Sequence, residues 1–494
     1  LEDIRYMPGA PDMSEKADAL QALKEDAASG GNSETIYNKA ARLRREIALC
    51  NPLLDFDDIL FIIKKQTVGY IQSHYWGKGY HTGGSVYRAK NIKTDIVHFE
   101  RILEGRTIDN GIRSGTILDN GLGAFSSHAL DYDGTTYAFT FVTKPGGFNA
   151  GGNNEVSDWS EETCLHIYTT NLDGGSIRQL TFGDYNSYSP CYLPQGRIVY
   201  VSETNRLASR CGDTQPGGVL FSMAPDGSDV VPLSFHDTNE QAPSIDENGM
   251  IVYQRWDYVD RDYNSGHHIW ICGPDGTDPR APHGNYPFPH STLDSIPDCD
   301  PRSLRPWAEH DIRSVPEMPG LYVARAGKHH DGAVSGPLVL INTNIPDDNM
   351  MSQIRLIDPL VILPHENEKP RCQIGYIPPL SKWGKHKWIY RTPVALSEKY
   401  FLAGNGKSLF LIDIFGNHIK LFTSPDTLNG GGLVYPIPVK AQRKPASLAV
   451  KTWQGQRHNT TDHMRATIGV ANIYNADFDW PEGTIIKALR VVHL

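Results

Sequence analysis

Residues 255–262 read Arg-Trp-Asp-Tyr-Val-Asp-Arg-Asp, the densest polar run in the chain. Asp257, Asp260 and Arg261 sit there among interleaved Asp and Arg residues, a pattern that suits an anion gripped through both edges of a guanidinium. The plainer use of such a run is an ion-pair lattice between neighbouring sheets. Two histidine pairs follow, His267-His268 and His329-His330. Adjacent strand residues point to opposite faces, so one member of each pair can reach a shared site. His268, His329 and His330, with His236 from a polar loop upstream, are therefore the candidate ligand or metal groups, imidazole being the commonest metal ligand. The chain contains no HExxH or HxH sequence, so solvated or core roles compete with ligation at each of them.

Other chemistry is excluded by spacing. Gly404-Asn405-Gly406-Lys407-Ser408 ends in GKS, but Phe401 stands where a phosphate-cradling loop needs glycine. There is no G-x-S-x-G nucleophile elbow and no EF-hand spacing around Asp477 and Asp479. No catalytic residue is assigned. Asp298 and Asp300 could hold calcium as two loop carboxylates, although such loops are usually just solvated. The seven cysteines form no CxxC and no CxxCH, which removes zinc ribbons and covalent haem attachment from this chain. Seven is odd, so one thiol at least stays free, and a Cys191–Cys211 bond is left open. A net charge of −10, with no dense Lys/Arg run, argues against a nucleic-acid partner. No apolar stretch reaches the about 18 residues that a membrane-spanning helix needs.

What must position these residues is a repeat. "IYTTNLDGGSIRQLTF" (167–182), "LFSMAPDGSDVVPLSF" (220–235) and "IWICGPDGTDPRA" (269–281) each run an apolar strand into an Asp-Gly turn. The turn glycines Gly174, Gly227 and Gly276 lie 53 and 49 residues apart. A period near 50 with several strands per unit indicates a propeller. "SPCYLPQGRIVYVSE" (189–203) and "APSIDENGMIVYQRW" (242–256) extend the repeat with Pro, a Gly turn and a second apolar strand. Residues 126–142 and 311–327 fill the same slot, and 409–422 repeat the opening hairpin. One such sheet cannot cover its own faces, whereas a ring of them can.

The expected fold is all-β: a six- or seven-bladed β-propeller over 51–460, an N-terminal helical leader over 1–50, and the beginning of a C-terminal β domain over 461–494. In the leader, Asp12 and Glu15 read as a capping box and Ser33 as a second cap. Ile36, Ala40, Leu43 and Ile47 then share one helical face. Residues 59–63 read as a buried strand able to pair with a late one and close the ring. The chain begins at Leu1 without Met, so either a leader was removed or the sequence is a fragment, and because it stops after a strand-like segment a missing continuation is expected.

The Asp-Gly hairpins and the "SP…LP.GRIVYVS" stretch resemble TolB and WD40-like propeller repeats, of the PD40 kind. A broader likeness runs through "CNPLLDFD" (50–57), "YQRWDYVDRD" (253–262), "HHIWICGPDGTDPRA" (267–281) and "VANIYNADFDWPEGTIIKALRV" (470–491), which look like the middle domain of the hydrazine synthase alpha subunit family. That resemblance implies a propeller flanked by other domains and a periplasmic or extracellular setting. It also implies haem c on segments outside this chain, with no cofactor inside it unless calcium or zinc binds. The expected function is an exported binding or scaffold module that meets a protein or small ligand on one propeller face. The alternative is a fragment or subunit of a haem-dependent redox enzyme.

Overall fold

The computed structural model describes residues 1–65, 83–144, 160–206, 217–257, 267–284, 306, 308–327, 336–346, 352–358, 390–452, 472–476 and 478–487. Three helices open the chain: α1 (Glu2–Arg5), α2 (Ser14–Ala28) and α3 (Ser33–Leu49). The caps differ from expectation. Asp12 accepts from the Ser14 backbone and hydroxyl one residue before the cap of α2, which Met13 itself occupies. At α3 it is Asn32, not Ser33, whose side chain accepts from Thr35 N at 2.9 Å, because Ser33 already has entered the helix. Leu43 is buried and Ile47 packs on the same apolar cluster as Phe61 and Leu409, so α3 lies on the β-structure.

The strands then follow: β1 (Ile59–Lys65), β2 (Ser85–Lys90), β3 (His98–Arg101), β4 (Ala124–Leu130), β5 (Thr136–Val142), β6 (His166–Asn171), β7 (Gly174–Gln179), β8 (Ser187–Tyr192), β9 (Ile198–Ser202), β10 (Val219–Met223), β11 (Val231–Pro232), β12 (Asn239–Ile245) and β13 (Ile251–Trp256). They continue with β14 (His267–Cys272), β15 (Ala308–Ser314), β16 (Leu321–Gly327), β17 (Leu338–Asn342), β18 (Ile354–Leu356), β19 (Arg391–Ala395), β20 (Tyr400–Asn405), β21 (Ser408–Asp413), β22 (His418–Thr423) and β23 (Gly431–Pro438). Four four-stranded antiparallel sheets form: β4 to β7, β8 to β11, β19 to β22, and β23-β1-β2-β3. A seven-stranded sheet runs from β12 to β18, its two halves joined by a single parallel pair, His267 with Ala308. The innermost strands β4, β8, β12, β15, β19 and β23 are neighbours in turn, and β23 returns to β4. This is a β-propeller arrangement. The early strand β1 does pair with a late one, β23, antiparallel from Ile59–Pro438 to Lys65–Gly431.

Each inner strand carries a register shift against its partner, at Ser126/Ser127, Ser189/Pro190, Ala242/Pro243, Asp311/Ile312, Thr392/Pro393 and Tyr435/Pro436. Five of these first residues hold left-handed backbone: φ is 54° at Ser189, 49° at Ala242, 53° at Asp311, 40° at Thr392 and 53° at Tyr435. A bulge leaves one residue outside the ladder and sharpens the twist, and proline fits there because it has no N–H to lose. Neighbouring bulges satisfy each other: Ser189 N donates to Ser127 Oγ at 2.9 Å and Tyr435 N to Thr392 Oγ1 at 2.6 Å.

The close approach of sheets shows at Gly404, where a Cβ would lie 2.2 Å from the Leu433 carbonyl oxygen of the next inner strand. Gly404→Ala is expected to cost about 1–3 kcal/mol through overpacking against backbone that cannot swing aside. An unchanged thermal melt would show that the two strands do not meet as described.

The two ends of the ring differ. First-to-second and third-to-fourth strand turns are tight, with glycines such as Gly196, Gly249, Gly227 and Gly416 at positive φ. Over this end runs an irregular strap, 439–452. Gln442 N donates to Tyr132 O, Gln195 Nε2 to Leu448 O, and the Lys451 and Thr452 amides to Asp275 Oδ2 at 2.6 and 2.8 Å. Lys440 pairs with Asp55 and Arg443 with Glu247. The long second-to-third connections after β1, β5, β9, β13 and β16 leave from the opposite end, since antiparallel alternation puts them there.

Residues 453–494 form a separate unit. In it Trp480 Nε1 donates to Tyr474 O at 2.9 Å, and Phe478 meets Trp480 at 4.8 Å between centroids. No strand forms among its described residues, and the strand expected at its end extends into 488–494, outside them. Cys50, Cys164, Cys191 and Cys272 are free thiols; Cys211, the other half of the bond left open above, lies outside the described residues. No described helix is long and apolar enough to cross a membrane.

Candidate functional site

Four charged side chains from four different strands meet inside the ring. Asp311, on the bulge of β15, accepts from Arg325 Nε of β16 at 3.4 Å, both about 1% exposed. Arg391 opens β19 and lies over Gly432 of β23, where a Cβ would stand 1.4 Å from its Nη1. Gly432 is the cross-strand partner of Lys64 on β1, so the ammonium and the guanidinium share one neighbourhood. Lys64 is buried. Burial is the main force that pushes its pKa down to about 7, Asp311 opposing and Arg391 adding to the fall. Burial and the nearby Arg325 also depress Arg391, though a guanidinium stays charged throughout the working pH range. Arg325 Nη2 is buried and has no hydrogen-bond partner among the described residues.

A neutral polar chain extends the cluster towards β12–β14. Gln254 of β13 accepts from His310 Nδ1 at 2.9 Å and bonds His267 Nδ1 at 3.1 Å. The His267 ring stacks on Trp256, 8° from parallel at 5.1 Å. Gln241, cross-strand partner of Gln254, has both amide atoms buried and without a partner among the described residues.

The residues singled out from sequence fall elsewhere. Asp257 pairs with Arg255 Nε at 2.8 Å, and that guanidinium lies 4.1 Å over the Trp270 ring. His236 Nε2 meets Glu240 Oε1 at 2.9 Å, its Nδ1 accepting from Thr238. His268 faces away from His267, with Nδ1 3.5 Å from Glu309 Oε2, while His283 Nε2 reaches Glu309 Oε1 at 2.9 Å. Burial alone would raise Glu309, but the His283 and His268 imidazoles hold it well below the carboxylate range. Asp260, Arg261, His329 and His330 lie outside the described residues. Among the described residues no group of three or more His, Cys, Asp or Glu is arranged to hold a metal. The sequence reading missed Lys64, Asp311, Arg325 and Arg391. The one signal was an arginine set between apolar neighbours in "LYVARAG" (321–327).

Polar residues at the starts of inner strands have a plainer task. Asn186 Oδ1 accepts from Leu165 N at 2.8 Å, and Glu240 Oε2 from Leu220 N at 2.9 Å, latching each sheet to the preceding one. Glu203 accepts from Asn186 Nδ2 at 2.7 Å, but its other oxygen is buried and has no partner among the described residues. Burial pushes Glu203 up to about 8. The folded protein therefore holds a proton that the unfolded chain has lost above its ordinary value of 4.5, and stability falls as pH rises from about 4.5 to about 8. Glu203→Gln is expected to remove that fall and to be the more stable protein at pH 9 by on the order of 1–3 kcal/mol. Parallel pH profiles for the two proteins would refute it.

No family model matches the chain, and no curated protein does. Among solved structures, hydrazine synthase from Kuenenia stuttgartiensis aligns with a TM-score of 0.54 at 15% identity, over 80% of this chain and 48% of that one. TolB from Acinetobacter baumannii aligns with a TM-score of 0.41 at 10% identity, over 80% of this chain and 72% of that one. The chain thus spans about half the length of the hydrazine synthase chain. At such identity the likeness is one of fold, and it agrees with the strand pairing in making this chain a β-propeller.

Proposed function

We propose that the chain is an exported ligand-binding propeller of six blades, recognising its ligand at the end of the ring from which the long connections leave. The blade count takes β12–β14 and β15–β18 as two blades that touch at one strand pair. The observation that carries the functional reading is the contrast between the ends. The tight-turn end is tied down by the 439–452 strap, whereas the buried polar groups Gln254, His310, Arg325 and Lys64, with the half-buried Arg391, sit beside strand ends that lead into the long connections. Sites gather on such connections over a rigid scaffold.

A thermal-shift screen against small organic molecules and short peptides tests this. Stabilisation by a hit should weaken in Gln254→Leu or His310→Gln and survive Asp226→Ala on the tight-turn end. Hits that respond only to the Asp226 change would overturn the reading.

A second reading is a propeller subunit of a redox enzyme, with haem on segments outside this chain. The structural match to hydrazine synthase over 80% of the chain favours it. Protein isolated from its native source, with whatever segments and subunits accompany this chain, is expected to show no Soret absorbance under the first reading; a strong band would replace it with the second.

A further inference from the structure

We infer that Arg325, Arg391 and Lys64 form an oxyanion-binding site inside the ring, built for a carboxylate or a phosphate-type anion. The inference deepens the proposed ligand-binding role and rests on it. Arg325 is the anchor: its Nε is spent on Asp311, while Nη2, in a side chain 1% exposed, has no hydrogen-bond partner among the described residues. A buried donor on a charged fork is costly unless something accepts from it. Arg391 supplies a second fork, seated where Gly432 leaves the space that any side chain would fill. A planar guanidinium offers two parallel N–H groups to an oxyanion, which is why arginine recurs wherever carboxylate or phosphate is recognised. Lys64 adds an ammonium on the cross-strand neighbour of Gly432. The Gln241 amide, one strand pair along the ring and without a partner among the described residues, offers a further uncharged donor.

The entry route follows from topology. Lys64 and Arg325 lie at the outgoing ends of β1 and β16, and Arg391 at the incoming end of β19. All three are therefore at the end opposite the strap. Arg391, the least buried of them, is the group that an arriving anion meets first.

The test is calorimetric titration of the whole chain with sodium phosphate and with sodium acetate, and thermal melts in each against sodium chloride at equal ionic strength. Saturable binding of one of them is expected, with a melting-temperature rise that chloride does not give. The acetate and phosphate arms tell a carboxylate site from a phosphate site. Arg391→Gln should weaken binding about tenfold or more, the usual loss for a charged hydrogen bond, and Arg391→Lys by less. Arg325→Gln should abolish it; if that variant does not fold, Arg391→Gln decides. Equal shifts in all three salts, or binding unchanged in Arg391→Gln, would overturn the inference. A neutral hit that depends on Gln254 or His310, with no anion binding, would sink this site and leave the ligand-binding role standing.

Discussion

A chain ending at Gly430 is expected to be insoluble or to melt without cooperativity, while a chain ending at Thr452 folds and melts within a few degrees of the full protein. The difference between the two is β23 and the strap. In β1, Ile59, Leu60, Phe61, Ile62 and Ile63 are each 0% exposed, so both faces and both edges of that strand are covered. One edge is covered by β2 and the other by β23. Deleting β23 bares a row of unpaired backbone groups beside a fully apolar strand, the arrangement that templates aggregation. It also removes the inner strand that stands between β19 and β4, so the circuit of inner strands no longer closes. Burial of Leu433, Val434 and Tyr435 is lost with it. At about 1.5–3 kcal/mol for each large apolar side chain, that loss alone rivals the whole stability of an ordinary domain. Circular-dichroism melts and soluble yield check the pair. A cooperative melt from the chain ending at Gly430 would show that β1 and β23 are not what closes the ring.

Ring closure was readable from sequence because it depends on short-range chemistry. A run such as Ile59–Ile63 declares a buried strand, and Asp-Gly turns at even spacing declare hairpins. The hairpins expected at 126–142, 311–327 and 409–422 are β4–β5, β15–β16 and β21–β22. The bulges were only half legible. Pro190 and Pro243 stood out beside their Gly turns, whereas Pro393 and Pro436 occupy the same structural place without the surrounding echo.

The central charges were illegible for a different reason. Lys64 ends an apolar strand and reads as its solvated exit, and Arg391 looks like a loop residue. Nothing in local sequence shows that positions 64, 311, 325 and 391 converge, because the convergence is made by closing the circle. Local reasoning found instead the residues that cluster along the chain. Of these, Asp257, His236 and His268 are engaged with Arg255, Glu240 and Glu309. That His267 and His268 diverge did follow from strand alternation, and it is His267 that reaches Gln254.

Asp311→Asn measures how much the central cluster leans on its carboxylate. Asparagine keeps the shape and tolerates the left-handed backbone at φ 53°, so the substitution changes charge with little added strain. Removing one partner of a buried ion pair typically costs about 3–5 kcal/mol, since the remaining charges stay buried uncompensated. A loss near the lower figure is expected at pH 6. The loss should shrink as pH rises, because Lys64 has a folded pKa lowered to about 7 from an ordinary 10.5. Below about 7 both folded and unfolded chains carry that proton, and the folded state bears the full penalty of a buried ammonium. Between about 7 and 10.5 only the unfolded chain carries it, so stability climbs with pH at up to about 1.4 kcal/mol per unit. Asp311 favours the charged lysine and Arg391 disfavours it, so losing the carboxylate starts that climb at lower pH. Denaturant melts of both proteins at pH 6 and pH 9 give the comparison. If an anion also enters beside Arg325 and Arg391, phosphate should stabilise Asp311→Asn more than the parent protein, having one fewer negative charge to oppose it. A loss of the same size at both pH values would detach Lys64 from the cluster, and no loss at either would mean that Asp311 neutralises nothing.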